Sequence, residues 1–133
     1  MKTAEVNSSA RGSCLCGSVR FRIRFPTLWS AHCHCTLCRR AHGAGFVTWV
    51  GAHEDRFELL TDRTLRWYGS SPDAERGFCT RCGSTLLFRS LQWPGEIHVT
   101  VANVNDPLDR EPDKHVFTNT RVHWIRDLPE DGG

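Results

Sequence analysis

Long apolar runs are missing from this 133-residue sequence, and so is any surplus of charge of one sign. The longest weakly apolar stretch, 43–52, falls far short of the roughly 20 residues that a membrane-spanning helix needs. Residues 1–11 lack the apolar centre of a secretory leader, so no membrane partner is expected and the protein is read as soluble and cytoplasmic. Seventeen basic side chains stand against 15 acidic ones and are spread along the chain, leaving a net charge of +2. There is no basic arm or stripe to neutralise a phosphate backbone, and nucleic acid is not an expected partner. There is also no internal repeat, no low-complexity tract and no linker. A chain of this length buries roughly two-thirds of its unfolded surface, enough for one ordinary core. The reading is one domain over 12–127, between a flexible N-terminus (1–11) and a flexible tail (128–133).

Helix has little room. Residues 18–25, Ser-Val-Arg-Phe-Arg-Ile-Arg-Phe, alternate apolar and basic side chains with period two, which predicts a strand with one face on a core. Weaker alternation predicts strands over 45–50, 65–68, 85–89 and 96–101. Turn signals at 61–63, 70–73 and 92–95 keep them short. Short helical turns are expected only over 36–42, which lacks glycine and proline, and near 105–110. The fold class is mainly β, a small antiparallel domain with one or two short helical turns.

What the sequence does hold in quantity is cysteine: seven, an odd number that a disulfide framework would leave with one thiol over. In a reducing compartment these thiols remain available to a metal. Cys79-Thr-Arg-Cys82-Gly83 is a tight turn that can aim two thiolates at one ion, and its glycine permits a positive φ. Cys14-Leu-Cys16, placed at the head of the first predicted strand, offers two side chains on one face. Two and two make a closed tetrahedral zinc site, the structural kind. Cys33, Cys35 and Cys38 remain, and three protein ligands leave the fourth position of a tetrahedral ion for a guest, the mark of a catalytic site. Three thiolates on Zn²⁺ leave a net charge near −1, which blunts its power to acidify water and makes an incoming thiol the better cargo.

Other readings stand beside this one. Cys35-Thr-Leu-Cys38 has the spacing of a redox pair, although no βαβ surroundings are predicted. A histidine (His32, His34 or His42) could close the second site and make it structural too, with His42 the foremost competitor and His34 pointing away in an extended chain. Arg39 and Arg40 could hold a substrate carboxylate, or simply face solvent.

Three fragments in this order, Gly12-Ser-Cys14-Leu-Cys16-Gly17, His34-Cys35-Thr-Leu-Cys38-Arg39-Arg40-Ala41 and Arg76-Gly-Phe-Cys79-Thr-Arg-Cys82-Gly83, resemble the glutathione-dependent formaldehyde-activating (GFA) family, which includes centromere protein V. The resemblance runs over 12–127 and implies a β-tent with two zinc ions. It implies a structural ion on Cys14, Cys16, Cys79 and Cys82 and a catalytic one on Cys33, Cys35 and Cys38. It further implies a carbon-sulfur lyase with glutathione as cosubstrate and formaldehyde or another small aldehyde as its partner. Arg39 or Arg40 would then anchor a glutathione carboxylate. His32, His34, His42 and His115 are the candidate proton donors for the nascent alkoxide. A zinc-stabilised binding module and a glutathione carrier without catalysis are the alternatives.

Overall fold

A computed structural model describes residues 8–125. The expected flexible segments at 1–7 and 128–133 lie outside the described residues. Residues 9–11, assigned above to a flexible N-terminus, instead begin the first strand. Among the described residues ten strands form two sheets. The smaller has the order β1 (Ser9–Ser13), β2 (Arg20–Arg24), β5 (Phe57–Thr61) and is antiparallel throughout. The larger runs β10 (His115–Val116), β3 (Trp29–Cys33), β4 (Val47–His53), β9 (Glu96–Thr100), β8 (Thr85–Ser90), β7 (Ala74–Cys79), β6 (Leu65–Ser71). It too is antiparallel, except where the two-residue β10 pairs in parallel with β3. No helix among the described residues is long and apolar enough to cross a membrane.

β2 is the strand that the alternation predicts. Phe21 and Ile23 are fully buried, while Arg22 and Arg24 meet Glu58 of β5 at 3.3 and 3.6 Å. Exposed ion pairs of that kind contribute about 0–1 kcal/mol, whereas each buried large apolar side chain contributes about 1.5–3 kcal/mol. Burial therefore holds the strand and the arginines merely keep its outer face wet. β1 had no such signal, because it contributes little bulk: Ala10 is buried, and a Cβ at Gly12 would lie 2.2 Å from the Phe21 ring.

Period two also sorts the large sheet into two faces. Val50 and Ala52 of β4 and Ile97 and Val99 of β9 join Phe21 and Ile23 in the main core, between the two sheets. Their neighbours in sequence, Val47 and Trp49 of β4, pack with Cys33, Cys38, Trp29 and Phe88 in a second cluster on the opposite face. β4 is thus buried on both sides, and its pattern reads as a near-continuous apolar run rather than an alternation.

The helix expected at 36–42 forms as α1 (Thr36–His42). The turn expected at 105–110 does not. Pro107 has no N–H to give a helix, and the polar groups around it are spent elsewhere. Asn105 N–H donates to the Arg11 carbonyl at 2.7 Å, the Asp109 carboxylate accepts from Thr27 N–H and Oγ, and the Arg110 guanidinium donates to the Thr27 carbonyl at 2.7 Å. A 3-10 turn forms a few residues earlier, at Val101–Asn103.

Candidate functional site

Two groups of thiols converge, and all seven cysteines are free of disulfides. In the first, the Sγ atoms of Cys14, Cys16, Cys79 and Cys82 lie within 4.8 Å of one another. Cys14 and Cys16 come from the turn between β1 and β2 rather than from the extended head of a strand, a correction to the sequence reading. Cys14 N–H donates to the Val19 carbonyl and Gly17 N–H to the Cys14 carbonyl, so the pair is aimed by a closed loop rather than by strand alternation. Cys79 ends β7 and Cys82 lies in the turn to β8, where Gly83 takes φ 82° and returns its N–H to the Cys79 carbonyl at 2.7 Å. A tetrahedral ion with Zn–S of about 2.3 Å requires S···S edges of about 3.8 Å. The Cys14–Cys16 and Cys16–Cys79 separations are 3.7 and 3.9 Å. The cluster could hold zinc. Against burial, which raises it, the hydroxyl and N–H of Ser84 and the N–H of Cys16 lower the Cys82 pKa to about 5, favouring the ligating thiolate.

In the second group, Cys33 ends β3, Cys35 caps α1 and Cys38 lies in the first turn of that helix. Their Sγ atoms also lie within 4.8 Å of one another, with Cys33 and Cys38 3.6 Å apart, so this site could hold zinc as well. Cys38 N–H donates to Cys35 Sγ at 3.2 Å. Hydrogen bonds from the thiols of Cys33 and then Cys38, with that N–H and the nearby Arg76, lower the Cys35 pKa to about 2, while the Cys33 thiol is pushed up by the same pairing. Without a metal the negative charge therefore settles on Cys35, while the Cys33 and Cys38 thiols are held up.

No histidine, aspartate or glutamate of the described residues joins either group. His34 faces away from the cysteines, its Nε2 2.8 Å from His115 Nδ1. His32 bonds Thr48 Oγ1 through Nδ1 at 2.9 Å and stacks on the His115 ring. His42 packs edge-on against Trp49 with its Nε2 buried and unpartnered. Three of the four histidines named as proton donors thus form their own cluster on the reverse of β3, where alternation sends them.

The second group opens into a cavity of about 560 Å³ laid on the outer face of the large sheet. Its floor is the period-two series Trp29, Ala31, Cys33 on β3, with Trp49 on β4, His98 on β9, Phe88 on β8 and Arg76 on β7. Gly51 makes room for this wall, since a Cβ there would lie 2.3 Å from the Trp29 indole. Neither Arg39 nor Arg40 lines it. Arg39 donates from Nη1 to the Thr120 carbonyl at 2.9 Å, and Arg40 lies exposed beside Tyr68 and Phe78. The helix turn that carries Cys38 inward carries both arginines away from it, a correction to their expected place as anchors.

The basic group that does reach the cysteines is Arg76, which spacing alone gave no reason to single out. It is 4% exposed, places both Nη atoms 3.6 Å from Cys38 Sγ, rests over the Phe88 ring at 4.8 Å and leaves Nε without a partner. A buried guanidinium needs an anion, and the anion in reach is sulfur. Its advance signal was its place in the third cysteine-bearing fragment, three residues before Cys79.

The sequence model of the glutathione-dependent formaldehyde-activating enzyme family matches residues 9–120. A Halomonas elongata protein provisionally named a glutathione-dependent formaldehyde-activating enzyme is 30% identical over 122 residues, covering 86% of this chain and 78% of that protein. An uncharacterised lyase of Schizosaccharomyces pombe is 30% identical over 77 residues, 58% of this chain and 55% of that protein. A crystal structure of a Rhodobacter sphaeroides protein superposes with a TM-score of 0.61 at 23% identity, over 80% of this chain and 99% of that one, a likeness of fold. With the match spanning both thiol clusters and nearly all the described residues, the chain belongs to the glutathione-dependent formaldehyde-activating enzyme family.

Proposed function

We propose that this protein is a zinc-dependent carbon-sulfur lyase of the S-(hydroxymethyl)glutathione synthase type, adding glutathione or a similar thiol to formaldehyde or another small aldehyde. One observation carries the reading: three thiols, joined by no fourth donor among the described residues, line a cavity large enough for a tripeptide. In this reading Cys14, Cys16, Cys79 and Cys82 hold a structural zinc, tying the β1–β2 turn to the β7–β8 turn. Cys33, Cys35 and Cys38 hold the catalytic one, which when bound supplies an electrophilic position at which a guest thiol ionises near neutral pH.

The chain's own residues do the rest. Arg76 neutralises the excess negative charge of the sulfur set, so that a further anionic sulfur can approach. Lys114 and Asp73, both on the lining, offer partners for a carboxylate and for the ammonium of the tripeptide, the role that Arg39 and Arg40 are turned too far away to fill. Trp49, Phe88 and Val116 keep bulk water from the reacting end, which strengthens each of these charge interactions. Bond making is simple: the S–C bond forms as the carbonyl π pair moves onto oxygen, and the proton lost by the thiol is returned to that oxygen.

The test is exchange NMR of formaldehyde with glutathione, with and without protein, alongside zinc counts for the wild type and Cys35→Ser. Acceleration that disappears with one of two zinc ions supports the reading. Binding of glutathione without acceleration would make the protein a carrier, and indifference to glutathione a binding module.

A further inference from the structure

The part of the cavity around His98 has a chemistry that a one-carbon aldehyde does not need. Phe88, Trp93, Trp29 and His98 form a continuous ring assembly there. His98 meets Trp29 edge-on at 4.6 Å between centroids, Phe88 at 5.5 Å and Trp93 at 5.4 Å, and Phe88 meets Trp93 at 6.2 Å. These spacings suit offset and edge-to-face packing and leave the π faces and edges that recognise a further ring. The assembly joins the reacting end through Arg76, which touches both Cys38 Sγ and the Phe88 face.

Among these rings sits a polar device. Glu96 Oε1 lies 2.9 Å from His98 Nε2 and 3.3 Å from Trp29 Nε1, and both nitrogens donate to it. A carboxylate at Nε2 fixes the imidazole proton there and leaves Nδ1 as an acceptor. Burial lowers the His98 pKa although Glu96 opposes it, so the neutral ring is the working form. An acceptor set among aromatic rings is matched by a ligand that donates, such as a hydroxyl, and repels a carboxylate.

We propose that the electrophile of this protein is an aromatic aldehyde bearing a ring hydroxyl, its ring packed among Trp29, Phe88 and Trp93, its hydroxyl donating to His98 Nδ1, and its aldehyde directed toward the cysteine end. The proposal rests on the thiol-addition reading for its chemistry, though not for the binding site itself. The step balances as before: the thiol S–H is lost, S–C forms, the carbonyl π pair becomes the new hydroxyl, and no oxidant or reductant enters.

The test compares formaldehyde with 4-hydroxybenzaldehyde as partners of glutathione in exchange NMR, and measures binding of the unreactive 4-hydroxybenzyl alcohol by isothermal titration, all on zinc-loaded wild-type protein. The expected kcat/KM is at least tenfold higher for the aromatic aldehyde. The alcohol should bind at least tenfold more tightly than benzyl alcohol, which lacks the ring hydroxyl. Trp93→Ala should weaken binding of the alcohol at least tenfold, and His98→Phe should bring its advantage over benzyl alcohol close to one. Higher efficiency with formaldehyde overturns the proposal while leaving thiol addition standing. Binding of the alcohol without acceleration of either aldehyde sinks thiol addition and supports the aromatic site. No binding of the alcohol overturns the aromatic site outright, as does a hydroxyl preference that survives in folded His98→Phe.

Discussion

Replacing Arg76 by methionine isolates what a buried positive charge contributes to the three-cysteine site. Both Nη atoms lie 3.6 Å from Cys38 Sγ. A unit charge at that separation, in a medium of effective dielectric about 20, attracts a thiolate by about 4–5 kcal/mol. Much of this is offset by the cost of taking the guanidinium out of water, several kcal/mol for an ion in a protein interior. The net effect should resemble that of other groups that support metal ligands, about 10–100-fold in metal affinity, or about 1.4–2.7 kcal/mol. Arg76→Met is therefore expected to lower zinc affinity at Cys33, Cys35 and Cys38 by 10–100-fold and to leave the four-cysteine site unchanged. Competition against a chromophoric chelator measures it, and Co²⁺ absorption of the thiolate set reports ligand geometry independently. The same variant removes a buried charge and an unpartnered Nε, so stability of the metal-free fold should hold or rise. Arg76→Lys, which keeps the charge and loses the fork, should fall between. Zinc affinity within twofold of the wild type, with a less stable fold, would refute the reasoning and make Arg76 a packing residue.

Other outcomes follow from the same structure. Cys35→Ser should reduce zinc from two ions to one per chain with the fold intact, whereas Cys79→Ser should remove the other ion and unfold the chain, as read by metal analysis beside circular dichroism. Gly51→Ala should cost about 1–3 kcal/mol, the range for overpacking, because its Cβ meets the Trp29 ring at 2.3 Å; a urea titration with an unchanged slope checks it. Burial holds the His42 pKa down at about 4 against an ordinary 6.5. Its contribution to stability is full above pH 6.5 and is lost as pH falls from there toward 4, because the unfolded chain takes up the proton first. His42→Phe should flatten that part of the stability profile relative to the wild type, and an unaltered profile would contradict the assignment.

Much of the site was readable because thiol spacing is a strong constraint and survives without knowledge of the strands. The division into four and three follows from the sequence, as do β2 and the helix at 36–42. β1, β3, β5, β7 and β10 were not read, and for three of them the physical reason is plain. β1 uses Ala10 and Gly12, too small to give an apolar signal; β3, Trp-Ser-Ala-His-Cys, is covered on both faces and shows no alternation; β7 mixes Glu75 and Arg76 with Gly77 because its inward charge is meant for sulfur. Arg39 and Arg40 looked like anchors through proximity in sequence alone. One helical turn is enough to point them at Thr120 and at solvent, while the cation that serves the cysteines arrives from a strand, 38 positions after Cys38.

Because neighbouring residues of β4 and β9 look in opposite directions, this scaffold separates what must be preserved from what can be retooled. Exchange of Trp49 or His98 alters the guest chamber, and Val50 or Val99 beside them stays sealed in the interior. Descendants of such a chain can drift toward new cargoes one odd or even position at a time, without renegotiating the architecture that keeps them folded.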